Sequence, residues 1–158
     1  MYDLLKYLEE NARYTNQELA DMTGNSEEEV AAAIAAYEKA GILKGYKAIV
    51  DWESTDRDYV TARIELKVIP QRDRGFEEIA DQISQYSEVQ SLYLMSGGYD
   101  LALTIVGKNF KDIANFVAYR LAPMDAIQST ATHFVLRKYK EKGIILGQQK
   151  KDERGLVL

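Results

Sequence analysis

Cysteine is missing from all 158 residues, which excludes disulfides and thiolate metal centres. One histidine, His133, is too few for a structural zinc site. The residues supply no Walker loop, no Gly-x-Gly-x-x-Gly turn, and no Ser-His-Asp or Cys-His nucleophile set. No catalytic residue, metal or cofactor is therefore expected. No apolar run approaches membrane-spanning length. The stretch "MYDLLKYLEENAR" lacks the basic start and apolar core of a signal peptide. These absences point to a cytoplasmic protein with no membrane partner. Net positive charge is lacking too. The chain carries −5, whereas phosphate neutralisation by Lys and Arg supplies most non-specific nucleic-acid affinity. The basic exceptions are "RKYKEK", from Arg137 to Lys142, and the tail residues Lys150, Lys151 and Arg154.

What is present divides into two patterns. In the first forty residues Leu4, Leu5, Leu8 and Ala12 share one helical face. "TNQE", from Thr15 to Glu18, reads as a capping box opening a second helix with Leu19 and Met22 as its apolar face and Gly24 as its end. "SEEE", from Ser26 to Glu29, repeats the box for a third helix, in which Val30, Ile34 and Tyr37 recur on one side and Gly41 closes. Extended chain with a turn at Gly45 follows. Three short helices and then a strand pair predict a winged helix-turn-helix with a linker strand over residues 1–53.

Beyond the polar stretch "STDRDY" the period changes to two. "TARIELKVI" sets Ala62, Ile64, Leu66 and Val68 against Arg63, Glu65 and Lys67. A helix showing Phe76, Ile79, Ala80 and Ile83 comes next, then strands "EVQSLYLMS" and "LALTIVG" joined by the turn "GGYD". A second helix shows Phe110, Ile113, Ala114, Val117 and Leu121 and stops at Pro123, before a last strand "AIQSTATHFVLRKY". Strand, helix, strand, strand, helix, strand is the ferredoxin-like motif. The fold class is α+β: a winged helix-turn-helix, then a ferredoxin-like βαββαβ domain over residues 54–142, then a tail over 143–158. Strand "LALTIV" is apolar on both sides, with Ala102 and Val106 opposite Leu101, Leu103 and Ile105. Tyr93 and Met95 repeat this on its neighbour. A sheet apolar on its second face needs a cover, and a second copy is expected to supply it.

The join "SEEEVAAAIAAYEKAGILKGYKAIVDW" and the stretch "SGGYDLALTI" resemble the Lrp/AsnC family, the leucine- and asparagine-responsive regulators of bacteria and archaea. Ser26, Val30, Ile34, Glu38, Gly41, Ile42, Gly45 and Tyr46 fit its pattern, and the resemblance spans roughly residues 2 to 142. It implies transcription regulation by a homodimer that assembles further into even-numbered rings and binds a small amino-acid-like effector between subunits. It places Ser26 to Ala36 in the DNA major groove, Gly97, Gly98, Tyr99 and Asp100 at the effector site, and Thr130 and Thr132 near it. It also makes Trp52 an interface anchor on a strand that pairs across the dimer. Without the resemblance, "GGYD" reads as a glycine hairpin turn whose aspartate satisfies backbone donors. With it, Asp100 is a partner for an effector's ammonium group, and the glycines open backbone amides to its carboxylate.

One departure matters. The family carries basic or polar side chains on the outward face of the third helix, including an arginine at the place of Ala33. Here that helix offers Ala31, Ala32, Ala35 and Ala36, with Glu27, Glu28 and Glu29 at its start. Bidentate side chains that read base edges, worth roughly 1–3 kcal/mol each, are absent. The carboxylates suit the helix dipole but occupy the place of a phosphate. Residues 1–50 hold five cationic and nine anionic side chains, a net of −4. The expectation is a module that keeps its fold while binding DNA weakly or not at all. Three routes to DNA stay open: Lys44 and Lys47 in the wing, the basic tail, and avidity in a ring. Two other functions also stay open. One is an effector-binding oligomer whose head contacts protein. The other is an enzyme similar to the siroheme decarboxylases, using His133 and Arg137, although His133 reads more simply as a partly buried, hydrogen-bonded strand residue.

Overall fold

The computed structural model describes residues 2–69 and 75–147. It forms two compact units, one ending at Val50 and the other beginning at Asp51. Lys150, Lys151 and Arg154 lie outside the described residues.

The first unit is three helices: α1 (Tyr2–Glu10), α2 (Asn16–Thr23) and α3 (Glu27–Lys39). Both capping boxes are closed. Thr15 accepts from the Glu18 N–H while the Glu18 carboxylate accepts from Thr15, and Ser26 and Glu29 repeat the exchange. Gly24, at φ 71°, ends α2 in the left-handed conformation, and its N–H donates to the Ala20 carbonyl at 2.9 Å. Gly41 does the same for α3 at φ 65°. There the Ile42 N–H reaches the Tyr37 carbonyl at 2.9 Å and the Gly41 N–H reaches that of Glu38 at 3.0 Å, a paired closure of the last turn. Leu4, Leu8, Leu19, Ala20 and Val30 form the core, with Ile34, Tyr37 and Leu43 against it. Two expected face residues differ. Ala12 lies past the end of α1 and is exposed, and Met22 is exposed while Ala20 takes its place inside. An eight-residue helix wedged between two others buries the side facing both, so two adjacent residues go inward.

The wing departs further from expectation. Residues 44–51 carry no strand, so no strand pair forms here. Among the described residues no strand pairs with this extended segment, so its ladder groups stay open. Its tie to the helices is the Tyr46 hydroxyl, which donates to Glu38 Oε1 at 3.0 Å.

The second unit is a four-stranded antiparallel sheet of β1 (Val60–Val68), β2 (Val89–Leu94), β3 (Leu101–Gly107) and β4 (Ile127–Phe134), in the order β2-β3-β1-β4. Helices α4 (Glu77–Ser84) and α5 (Phe110–Phe116) complete the ferredoxin-like arrangement. Ile64, Leu66, Leu101, Leu103 and Ile105 are fully buried beside Ile83, Ile113 and Leu121. Each such side chain contributes about 1.5–3 kcal/mol. α5 ends in a wide π turn, Val117–Leu121, where the Ala122 N–H donates to the Val117 carbonyl at 2.8 Å. The extra residue resets the helical phase. Phe116 and Leu121 therefore both reach the core, while Phe110 and Ala114 of the expected face are exposed.

β4 stops at Phe134, short of the strand end expected at Tyr139, and a small hairpin that the sequence pattern did not predict follows across the expected boundary with the tail: β5 (Lys140–Glu141) and β6 (Ile144–Ile145). Its turn, Lys142 at φ 43° and Gly143 at φ 85°, has both central residues at positive φ, the hairpin geometry that matches strand twist. The hairpin region holds the segment that opens the second unit. Lys138 N–H donates to Glu53 Oε1 at 3.0 Å and Gly147 N–H to Asp51 Oδ2 at 3.1 Å. Trp52 is therefore not the end of a strand. It sits half-buried in a 3-10 turn, Trp52–Ser54, stacked on Tyr59 at 6.0 Å and under the Arg57 guanidinium at 4.4 Å.

Candidate nucleic-acid and effector sites

The outward face of α3 follows from its capping box. Ser26 N–H donates to Glu29 Oε2 at 2.8 Å, and the Glu29 N–H donates to Ser26 Oγ at 3.2 Å. The Ser26 backbone bond first, and its hydroxyl second, hold the Glu29 carboxyl below its ordinary value. Glu29 thus belongs to the fold. Glu27 and Glu28 make no such bond and are exposed beside Ala31, Ala32, Ala35 and Ala36. Ala33, expected on the outward face, instead packs half-buried against the head core with Ile34. The face offers two carboxylates and four methyl groups to a groove. Lys44 and Lys47 are exposed in the extended segment. Lys44 folds back, its Nζ 2.9 Å from where a Cβ on Gly41 would stand.

The turn between β2 and β3 holds Gly97, Gly98, Tyr99 and Asp100. Asp100 N–H donates to the Leu66 carbonyl at 2.9 Å, and Asp100 Oδ2 accepts from the Val68 N–H at 2.8 Å. Asp100 therefore satisfies a β1 backbone donor where the strand leaves the sheet. Lys67 joins it. Its Nζ donates to the Gly98 carbonyl at 3.1 Å and lies 4.0 Å from Asp100 Oδ1. The N–H groups of Gly97, Gly98 and Tyr99 make no hydrogen bond among the described residues. No atom lies within 4 Å of a Cβ built on Gly97 or Gly98, so the loop backbone is open to a ligand.

The threonines do not join this cluster within one chain. Thr130 pairs with Leu66 and Thr132 with Ile64, so both share the helix-covered face of the sheet. Lys67 pairs with Ser129 instead, and that pair stands on the opposite face with Asp100. Sequence reasoning missed Lys67 and Ser129. The alternation of "TARIELKVI" marked Lys67 as outward, but only the cross-strand pairing shows which residue of β4 shares its side.

That opposite face also carries the expected interface residues. Tyr93 and Ala102 are cross-strand partners, and Glu65 pairs with Ala102 from the other side. Tyr93 and Met95 are exposed, while Ala102 is buried and Val106 half-buried. The face is not the flat apolar surface expected from β2 and β3. The central strand β1 draws a charged row, Arg63, Glu65 and Lys67, across it. Inward positions took the apolar half of its alternation and left the ionic half outward. A groove of about 570 Å³, lined by Val106, Lys108, Asp112 and Arg120 among others, opens at the far end of β3 from Asp100.

His133 is exposed, not partly buried, and its Nε2 lies 3.3 Å from Glu65 Oε2. Arg137 lies beyond the end of β4 and stacks on Tyr139 at 5.1 Å, so the two do not share a strand face. His133 is engaged by Glu65 and Arg137 by Tyr139, so β4 does not present the cationic pair that the enzyme reading placed on it.

Known proteins agree with this architecture. A family model described as the Lrp/AsnC ligand binding domain matches residues 61–145, and one described as winged helix-turn-helix DNA-binding matches residues 2–44. The HTH-type transcriptional regulator YugG of Bacillus subtilis, itself uncharacterized, is 40% identical over 98% of this chain and 94% of its own length. The leucine-responsive regulatory protein of Rhizobium meliloti is 26% identical, over 87% of this chain and 88% of its own. Among solved structures, the transcriptional regulator NMB0573 of Neisseria meningitidis in complex with L-Met superposes with a TM-score of 0.69. It is 27% identical and covers 87% of this chain and 88% of that one. These relatives are transcriptional regulators by name. With both modules matched in order along the chain, this protein belongs to the Lrp/AsnC family of transcriptional regulators.

Proposed function

We propose that this regulator binds DNA weakly per module and acts through assembly, with a small amino-acid-like effector read at the "GGYD" loop between subunits. The observation that carries the DNA half is the outward face of α3, where Glu27 and Glu28 stand beside four exposed alanines. Side chains that discriminate bases are missing, and the helix N-terminus that would bind phosphate is screened by its own carboxylates. Occupied cooperatively, several feeble heads on one oligomer still hold a promoter, because each later contact is intramolecular. A dimer closes over the sheet face bearing Tyr93, Met95, Ala102 and Val106, with Trp52 at its edge.

Fluorescence anisotropy with the protein's own upstream DNA, paired with sedimentation, tests this. Binding is expected only at concentrations where species larger than a dimer are present, and to weaken steeply between about 50 and 200 mM salt. Tight, hyperbolic binding by the dimer alone refutes it. No binding at micromolar protein and low salt gives the second reading, an effector-sensing oligomer whose head contacts protein through the small-residue face of α3.

A further inference from the structure

Resting on the effector reading of the "GGYD" loop, we propose that the ligand of this site is a carboxylate without an α-ammonium group, a 2-oxo acid, and that Lys67 selects it. An amino-acid ligand needs two things: donors for its carboxylate and a free acceptor cluster for its ammonium. The donors are present. Gly97, Gly98 and Tyr99 leave three N–H groups unengaged in an open loop. The acceptors already face a cation of the protein's own. The Gly98 carbonyl receives Lys67 Nζ at 3.1 Å, Asp100 Oδ2 receives the Val68 N–H at 2.8 Å, and Asp100 Oδ1 faces Lys67 at 4.0 Å. Lys67 thus stands where a ligand's ammonium would stand, as a cation supplied by the protein.

A second ammonium at Asp100 Oδ1 would lie against Lys67, two like charges sharing one carboxylate. A carboxylate meets the opposite field. Lys67 is half-exposed, with donor capacity beyond its bond to Gly98, and it adds a charge-assisted contact to the loop amides. Ser129, the exposed cross-strand partner of Lys67, stands on the same face, and its hydroxyl is the proposed donor to the 2-oxo oxygen.

Calorimetric titration of the full chain with matched pairs tests the assignment: pyruvate against L-alanine, 2-oxoisocaproate against L-leucine, and 2-oxo-4-methylthiobutyrate against L-methionine. In the native protein the best-fitting oxo acid is expected to bind at least about tenfold more tightly than its amino acid, the scale of one charged hydrogen bond. Lys67→Met, which keeps the stem and removes the cation, is expected to reverse that order. Lys67→Gln is expected to abolish the preference, and circular dichroism confirms that both variants fold. Amino acids binding more tightly than oxo acids in the native chain, with the order unchanged in Lys67→Met, overturns the assignment and leaves the effector site standing. Binding of neither class overturns both.

Discussion

Neutralising the start of α3 is expected to move two observables in opposite directions. Glu27 and Glu28 are exposed in the first turn, while Glu29 is bound to Ser26, so Glu27→Gln and Glu28→Gln together leave the capping box intact. For DNA, a carboxylate about 7 Å from a phosphate in water costs about 0.6 kcal/mol. Two carboxylates then weaken docking by about 1.2 kcal/mol, close to tenfold in Kd. Part of that is screened near physiological salt, where the Debye length is about 8 Å. For the fold the sign is reversed. Each acidic residue at an exposed helix N-terminus stabilises by about 0.3–1 kcal/mol, so the double variant melts a few degrees lower. Anisotropy at low salt and thermal unfolding of the same samples measure both. Unchanged affinity alongside a lowered melting temperature would refute the reasoning, because it would show that this helix never approaches phosphate and that DNA contacts lie elsewhere.

Three further outcomes follow from the same structure. The Glu18 and Glu29 carboxyls are both held below the ordinary 4.5, chiefly by backbone bonds from Thr15 and Ser26. Their contribution to head stability is present above that value and lost as pH falls through the lowered one. Thermal melts at neutral pH and at a series of values below the ordinary 4.5 should therefore show an acid loss that a Glu18→Gln, Glu29→Gln variant largely lacks. Leu103→Ala, at a position 1% exposed in the sheet centre, is expected to destabilise by about 2–5 kcal/mol, and a denaturant midpoint equal to the native one would contradict the assigned core. Trp52→Ala is expected to weaken self-association, and an unchanged sedimentation coefficient at low concentration would count against Trp52 as an interface anchor.

Local chemistry was written plainly in the residues. Two boxes, Thr15–Glu18 and Ser26–Glu29, and two glycines, Gly24 and Gly41, set the helix boundaries because each acts through bonds three to five residues long. The alternation in "TARIELKVI" identified β1, the order of elements identified the two modules, and the resemblance of "SEEEVAAAIAAYEKAGILKGYKAIVDW" and "SGGYDLALTI" pointed to the family. Pairing across the sheet was not legible. A period of two says that neighbours point opposite ways, yet which residue of β4 stands beside Lys67 depends on register, and one step exchanges Ser129 for Thr130. The same holds for Ala33, turned inward by the packing of α3, and for the π turn at Val117–Leu121, which serves the core and has no local signature. Asp100 shows the division most clearly. Its residue type and turn were readable, but the bond to Val68 and the approach of Lys67 join positions about thirty residues apart, and only the folded sheet brings them together.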